Sequence, residues 1–237
     1  MKAVRALLQF TTILPLGRGV DFDAFARHSY IYPLAGYVIG AIAAILAYLM
    51  PERALGAGVA VAVVILLSGC HHFDGLLDFG DGLMVHGDRT RRIAALSDRL
   101  TGTGGIALGL LVTLLSFSGL LSVASIPWTI LAAEVLAKGS MAVLTVTGTP
   151  FKEGMHRYLH GFARPWFLPA SIMLCLPVLL FPLGQWGIAA SFTALLLTVI
   201  FLLSLSRHLF GGVNGDIVGA ANEITRMTVI VALAIAT

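Results

Sequence analysis

Six long apolar stretches alternate with polar ones along the chain: Tyr30–Met50, Ala54–Cys70, Ile106–Ser125, Trp128–Thr147, Phe167–Leu183 and Ile188–Leu205. A membrane-crossing helix needs about 20 mostly apolar residues, with a range of about 17–25. Each stretch meets that length, so the pattern predicts an all-α, polytopic membrane bundle of six to seven transmembrane helices. Met1–Leu16 is too short before Pro15 to span and reads as an interfacial or re-entrant helix. The last piece, 220–237, starts polar with Asn222, Glu223 and Arg226 and ends apolar, so it is either a seventh span or a buried terminal helix. Gly36 and Gly40 have the small-residue spacing that lets two membrane helices approach closely. No repeat or separate soluble unit interrupts the pattern, which makes residues 1–237 one membrane-embedded domain.

Composition agrees with that reading. The chain is 58% hydrophobic and 11% charged, with a mean hydropathy of +0.93, whereas soluble domains carry about 25% charged residues. The net charge of +3 is no argument for a nucleic-acid partner, because in a membrane protein the placement of Lys and Arg matters more than their sum. Of 15 Lys and Arg residues, Arg53 alone lies in the short breaks Pro51–Arg53, Ser125–Pro127 and Gly184–Gly187, and Lys138 alone lies within an expected span. The rest fall in the N-terminal segment and in 71–105, 148–166 and 206–226, a side that should face the cytoplasm of a prokaryotic cell membrane. Cys70 and Cys175 are far apart in apolar runs and read as small buried side chains. No cleavable leader pattern is visible at the start.

Chemistry concentrates where the second span ends, in His71-His72-Phe73-Asp74-Gly75-Leu76-Leu77-Asp78-Phe79-Gly80-Asp81-Gly82. At about 100° per residue, helical spacing puts Asp74, Asp78 and Asp81 on one face. His71 lies near that face and His72 roughly opposite. Three carboxylates on a stripe repel one another unless a cation lies between them. Mg²⁺ takes oxygen ligands of this kind and bridges them to substrate phosphates. A solvated acidic loop is the plainer alternative, and the glycines after Asp74 and Asp81 weigh against it.

Other positions carry weaker signals. Phe210–Glu223 is glycine-rich and could present backbone N–H groups to an anion, or simply pack tightly; Asp216 and Glu223, seven apart, would share a helix face. Lys152, Arg157 and Arg164 are phosphate partners or ordinary cytoplasmic charges. Glu134 and Lys138, four apart inside a span, are a functional candidate or a self-neutralising pair. His156 and His160 have helical spacing, but an oxygen-rich site has little use for a zinc-type pair. His28, His86 and His208 show no role. Trp128, Trp166 and Trp186 sit at span ends, where an interfacial belt explains them.

Three blocks resemble the cobalamin synthase family. His72-Phe73-Asp74-Gly75-Leu76-Leu77-Asp78-Phe79-Gly80-Asp81-Gly82 is similar to its His-x-Asp-Gly-x-x-Asp-x-x-Asp-Gly signature. Phe10–Leu16 followed by Tyr32-Pro33-Leu34 and Gly36 resembles its opening, and Gly211–Ala220 with Glu223 its Gly-Gly-x-Thr-Gly-Asp block; Thr149-Pro150 and Glu153-Gly154-Met155 resemble its middle loop. The departures are Asp98-Arg99-Leu100, where the family has Asp-Ser-Arg, and Asn214, where it has Thr.

The resemblance implies transfer of the adenosylcobinamide phosphate moiety from adenosylcobinamide-GDP to α-ribazole or its 5′-phosphate, with GMP leaving and a phosphodiester forming. It assigns Mg²⁺ to Asp74, Asp78 and Asp81, with Asp216 and Glu223 completing the metal or nucleotide site. Asp81 or His72 would take the hydroxyl proton, and Asn214, Lys152, Arg157 and Arg99 would contact nucleotide or phosphate. A homo-oligomer in the lipid bilayer is compatible with all of this. Two other readings stand beside it. A CDP-alcohol phosphotransferase would require Asp-Gly-x-x-Ala-Arg, and Leu76-Leu77-Asp78-Phe79 follows Asp74-Gly75 instead. A cation transporter would place its carboxylates near the midplane between repeated halves, and these acids lie at a span end.

Overall fold

The computed structural model describes residues 1–236. The polar N-terminal segment forms α1 (Lys2–Thr11) and the one-turn α2 (Asp23–Ala26), and a 3-10 turn, Ser29–Ile31, leads into α3 (Tyr32–Tyr48). Then come α4 (Arg53–Leu67), α5 (His71–Met84), α6 (Arg89–Leu96), α7 (Thr103–Ser122), α8 (Ile126–Thr147) and α9 (Met155–Phe162). The chain ends with α10 (Phe167–Cys175), continued by the 3-10 segment Leu176–Leu180, then α11 (Gly184–Leu209) and α12 (Gly215–Ala236). The described residues contain no strand, only an isolated parallel bridge between Pro150 and Val213.

Five segments are long and apolar enough to cross a membrane: Ser29–Tyr48, Thr103–Ser122, Ile126–Thr147, Gly184–Leu209 and Gly215–Ala236. Two bent helix pairs raise the number to as many as seven. α5 turns from α4 by 91°, and Phe167–Leu180 turns from α9 by 102°. Gly69 and Cys70, at φ 62° and 60°, are consecutive left-handed residues, and they make the first bend. We read α4 and Phe167–Leu180 as crossing arms. α5 and α9 then lie outside the spans, at the end of the bundle where the charged loops gather.

Glycine sets the tightest crossings. A Cβ on Gly36 would sit 2.7 Å from the Glu134 carbonyl oxygen and one on Gly40 3.0 Å from the Leu131 Cα, so the expected small-residue spacing seats α3 on the buried α8. α5 lies across the opening turns of α7 and α12 in the same way. Gly80 faces the Gly104 carbonyl and the Gly105 Cα, and Gly75 faces the Asp216 backbone at 2.7 Å.

Four expectations change. The last helix starts at Gly215 and runs unbroken to Ala236, so 206–226 is not all loop and Arg226 lies inside a candidate span. Its polar residues are buried there because they bond to each other and to α8. Phe167–Leu183 is not one helix: α10 stops at Cys175 and continues as the 3-10 segment Leu176–Leu180, because Pro177 has no N–H to donate to the carbonyl four residues back. Cys175 is buried, but Cys70 is exposed at the bend. Glu134 and Lys138 do pair, at 2.7 Å, but as part of a larger closed ring with Asn222, Glu223 and Arg226.

Candidate active site

The close approach at Gly75 brings α5 against the start of α12, and this sets Asp78 facing Asp216. Asp78 is half-buried, and its carboxyl is pushed up to about 7, first by burial and then by the Asp216, Asp74 and Asp81 carboxylates; Lys152 opposes the shift. Asp74 is exposed on the first turn of α5. The stripe expected from spacing alone therefore exists, and its second member feels a fourth carboxylate from another helix.

Asp81 is differently placed. Its Oδ2 accepts the Gly102 N–H at 2.7 Å and its Oδ1 the Gly105 N–H at 2.8 Å. These are orphan donors at the start of α7, and a carboxylate there satisfies them and the positive end of the helix dipole. Asp81 thus serves α7 as a cap supplied from α5.

Asn214 is a cap too. Its side chain Oδ1 accepts the Ile217 N–H at 3.1 Å, and its Nδ2 donates to Asp216 Oδ2 at 2.6 Å. Asn before Gly-Asp at the head of a helix is a capping signal, and the sequence reading passed over it for nucleotide contact. Lys152 reaches the same carboxylate, 3.6 Å from Asp216 Oδ2, while donating to Ser97 Oγ at 3.0 Å. What delivers it is the backbone pairing of the 148–152 loop with 211–214, where the Val213 N–H donates to the Thr149 carbonyl at 2.8 Å.

Other candidates lie further out. Arg157 pairs with Glu153 at 3.0 Å on an exposed face, beside Lys152 and Asn214 in a cavity of about 250 Å³ that also reaches Asp216. Arg99 is exposed in the loop between α6 and α7 and lines neither cavity that reaches Asp216. Glu223 is buried two turns deeper on α12, with its oxygens bonded by Asn222 and Arg226. The structure does not bring it to the aspartates. His156 and His160 tie α9 to the end of α8: His156 Nε2 donates to the Gly148 carbonyl at 2.9 Å, and His160 Nδ1 donates to the Thr145 carbonyl at 2.9 Å.

The sequence reading missed a cavity of about 470 Å³ beneath Asp216. α1, α3, α5, α8, α9 and α12 all contribute to its wall, and His72 and His156 face it. His72 is buried against the Gly219 turn, and burial together with nearby cations holds its imidazole well below the usual range. No linear motif marks a cavity whose wall is gathered from six helices.

Among the described residues no three His, Cys, Asp or Glu side chains converge as a metal cage. Mg²⁺ seldom has such a cage: it keeps several waters and uses one or two carboxylates plus substrate phosphates. Asp74, Asp78 and Asp216 are oxygen donors, and burial together with mutual repulsion lifts Asp78 to about 7, an arrangement of carboxylates that fits a hard divalent cation. Asp81 and Glu223 are already bonded elsewhere.

The chain matches the family model described as Cobalamin-5-phosphate synthase over residues 3–234. Similar curated proteins carry the name adenosylcobinamide-GDP ribazoletransferase. The one from Halorubrum lacusprofundi is 34% identical over 96% of this chain and 94% of its own length. Those from Methanosarcina mazei and Archaeoglobus fulgidus are 32% and 33% identical, over 95% and 100% of this chain and 89% and 98% of their own lengths. No solved structure gives a significant match.

Proposed function

The chain belongs to the cobalamin-5-phosphate synthase family, and from that membership we propose that it is an adenosylcobinamide-GDP ribazoletransferase. In this reading the ribose hydroxyl of α-ribazole, or of its 5′-phosphate, attacks the cobinamide-side phosphorus of adenosylcobinamide-GDP. The bond to GMP breaks, GMP leaves with its electron pair, and a phosphodiester remains in the corrinoid product. The observation that carries the reading is the full-length similarity to relatives of that name. Neither alternative finds support: the CDP-alcohol motif is absent, and the acids buried inside the spans, Glu134 and Glu223, are held by Lys138 and Arg226 in a closed ring.

The chain's own residues divide the work. Asp74, Asp78 and Asp216 would hold Mg²⁺, which when bound neutralises the pyrophosphate and the charge developing in an in-line displacement. One of these carboxylates would also take the attacking hydroxyl's proton. Lys152 and Arg157, around the smaller cavity, would meet phosphate oxygens. His72 is a poor base, because burial and the Lys138 and Arg226 charges oppose its protonation. With Arg226 inside α12 and Lys138 inside α8, the remaining cations other than Arg53 share the end that carries this site, and we assign that end to the cytoplasm.

The test is the purified protein in lipid with adenosylcobinamide-GDP and α-ribazole, with and without Mg²⁺, following GMP and adenosylcobalamin together. Equal yields that require the metal support the reading; folded protein giving neither product overturns it.

A further inference from the structure

The cavity beneath Asp216 has apolar walls from Phe10, Tyr32, Met141 and Leu159. Two histidines of this wall, His72 and His156, each carry a buried Nδ1 with no hydrogen-bond partner, on residues 6% and 3% exposed. A buried nitrogen left unpaired is destabilising, so two on one cavity wall point to a ligand that pairs with them. The His156 ring donates through Nε2 to the Gly148 carbonyl, which makes its Nδ1 the acceptor in a neutral imidazole. The adjoining smaller cavity shares Met155, His156, Gly215 and Asp216 and adds Lys152 and Arg157. The ligand this pair of cavities fits has a flat apolar end, hydroxyls in the middle near His156 and Asp216, and room for an anion beyond.

We propose that the larger cavity is the acceptor subsite. It takes the fused aromatic base of the ribazole nucleoside, with His156 Nδ1 accepting a hydrogen bond from the ribose and His72 Nδ1 facing the base's free ring nitrogen. This rests on the ribazole-transfer reading above. The volume lies within the range of about 300–1,000 Å³ of small-molecule sites. A benzimidazole suits these walls because its edge carries one polar ring atom. His72 and His156 are positioning residues in this scheme.

The experiment uses the lipid-reconstituted wild-type protein and a benzimidazole riboside carrying an aryl azide on its ring. GMP release with unmodified ribazole is measured first on the same sample; its absence would be a failure of the proposed function and not of the subsite. With release established, irradiation should label the peptides containing Met141–Thr145 or Met155–Leu159, and excess ribazole should suppress the label. Labelling confined to peptides that carry no residue of the cavity wall overturns the proposal. The Met141→Trp variant, which fills the cavity, should raise the ribazole KM about tenfold or more and leave the adenosylcobinamide-GDP KM unchanged. A rise in the donor KM alone overturns it, and if the variant does not fold the wild-type labelling decides.

Discussion

Arg226 on α12 donates from Nη1 to Glu134 Oε2 on α8 at 3.1 Å, and this contact closes a ring of five buried side chains. From Glu134 the ring runs to Lys138 Nζ at 2.7 Å, to Asn222 Oδ1 at 2.8 Å, to Glu223 Oε1 at 3.0 Å through Asn222 Nδ2, and back through Arg226. Two acids and two bases make it neutral. Neutrality lets α8 and α12 keep these groups in the bundle interior, where an isolated charge would be expelled.

Removing one member should therefore cost more than removing a matched pair. Glu134→Ala leaves Lys138 and Arg226 facing Glu223 alone, and breaking a buried pair costs about 3–5 kcal/mol. Replacing Glu134 and Lys138 together by Leu and Met should cost less than the sum of the single changes. Thermal melting of the detergent-solubilised variants checks this; additive losses would mean the ring is not coupled.

Much of this was readable from residue order and some was not. The spans were legible because long apolar runs have few other homes, and the Asp74–Asp78–Asp81 stripe because helical spacing is local. The end of the sixth span and the start of the seventh helix were not. Asn222, Glu223 and Arg226 read as loop, since nothing in their own segment shows that α8 supplies Glu134 and Lys138 as partners. The same holds for Asp81, whose spacing is right for a ligand stripe but whose bonding is decided by α7, some twenty residues on. Local pattern places a side chain on a face; what meets that face is a tertiary fact.

Asp81 and Asp78 should therefore separate in their effects. Asp81→Ala strips the cap from α7 and should lower stability by about 0.5–2 kcal/mol or somewhat more, since both orphan donors lie partly buried. Asp78→Asn should not lower the melting temperature at neutral pH and should reduce GMP release about a hundredfold or more. Turnover within about tenfold of wild type in Asp78→Asn, at equal protein, would remove Asp78 from the reaction.

The raised carboxyl of Asp78 also gives a pH signature in metal-free protein. Its folded value of about 7 lies above the unfolded carboxylate value of about 3.9. Its contribution to stability is thus full below about pH 4 and is lost as pH rises through about 7. In EDTA, Asp78→Asn should match the wild-type melting temperature near about pH 4 and exceed it increasingly towards about pH 8, because Asn never acquires the buried, repelled charge. Added Mg²⁺ should recover the wild type at the higher pH and not the variant. A melting difference independent of pH would show that Asp78 is not held by its acidic neighbours.

Gly75 tests whether the helix crossing itself sets the site. A Cβ at Gly75 would lie 2.7 Å from the Asp216 carbonyl oxygen and 3.0 Å from its Cα, both backbone atoms that cannot rotate away. Gly75→Ala must therefore push the head of α12 off α5, widening the space between Asp78 and Asp216. Overpacking of this kind costs about 1–3 kcal/mol, and the displaced carboxylates should lower kcat more than stability alone accounts for. Gly58 on α4 is the control: only Phe117 comes within 4 Å of its Cβ position, at 3.9 Å, so Gly58→Ala should be neutral or slightly stabilising through helix propensity. Turnover and melting measured on both variants decide the matter. Equal activity in the two would mean that the contact between α5 and α12 does not position the aspartates, whereas a loss confined to Gly75→Ala ties the chemistry to the crossing of these two helices.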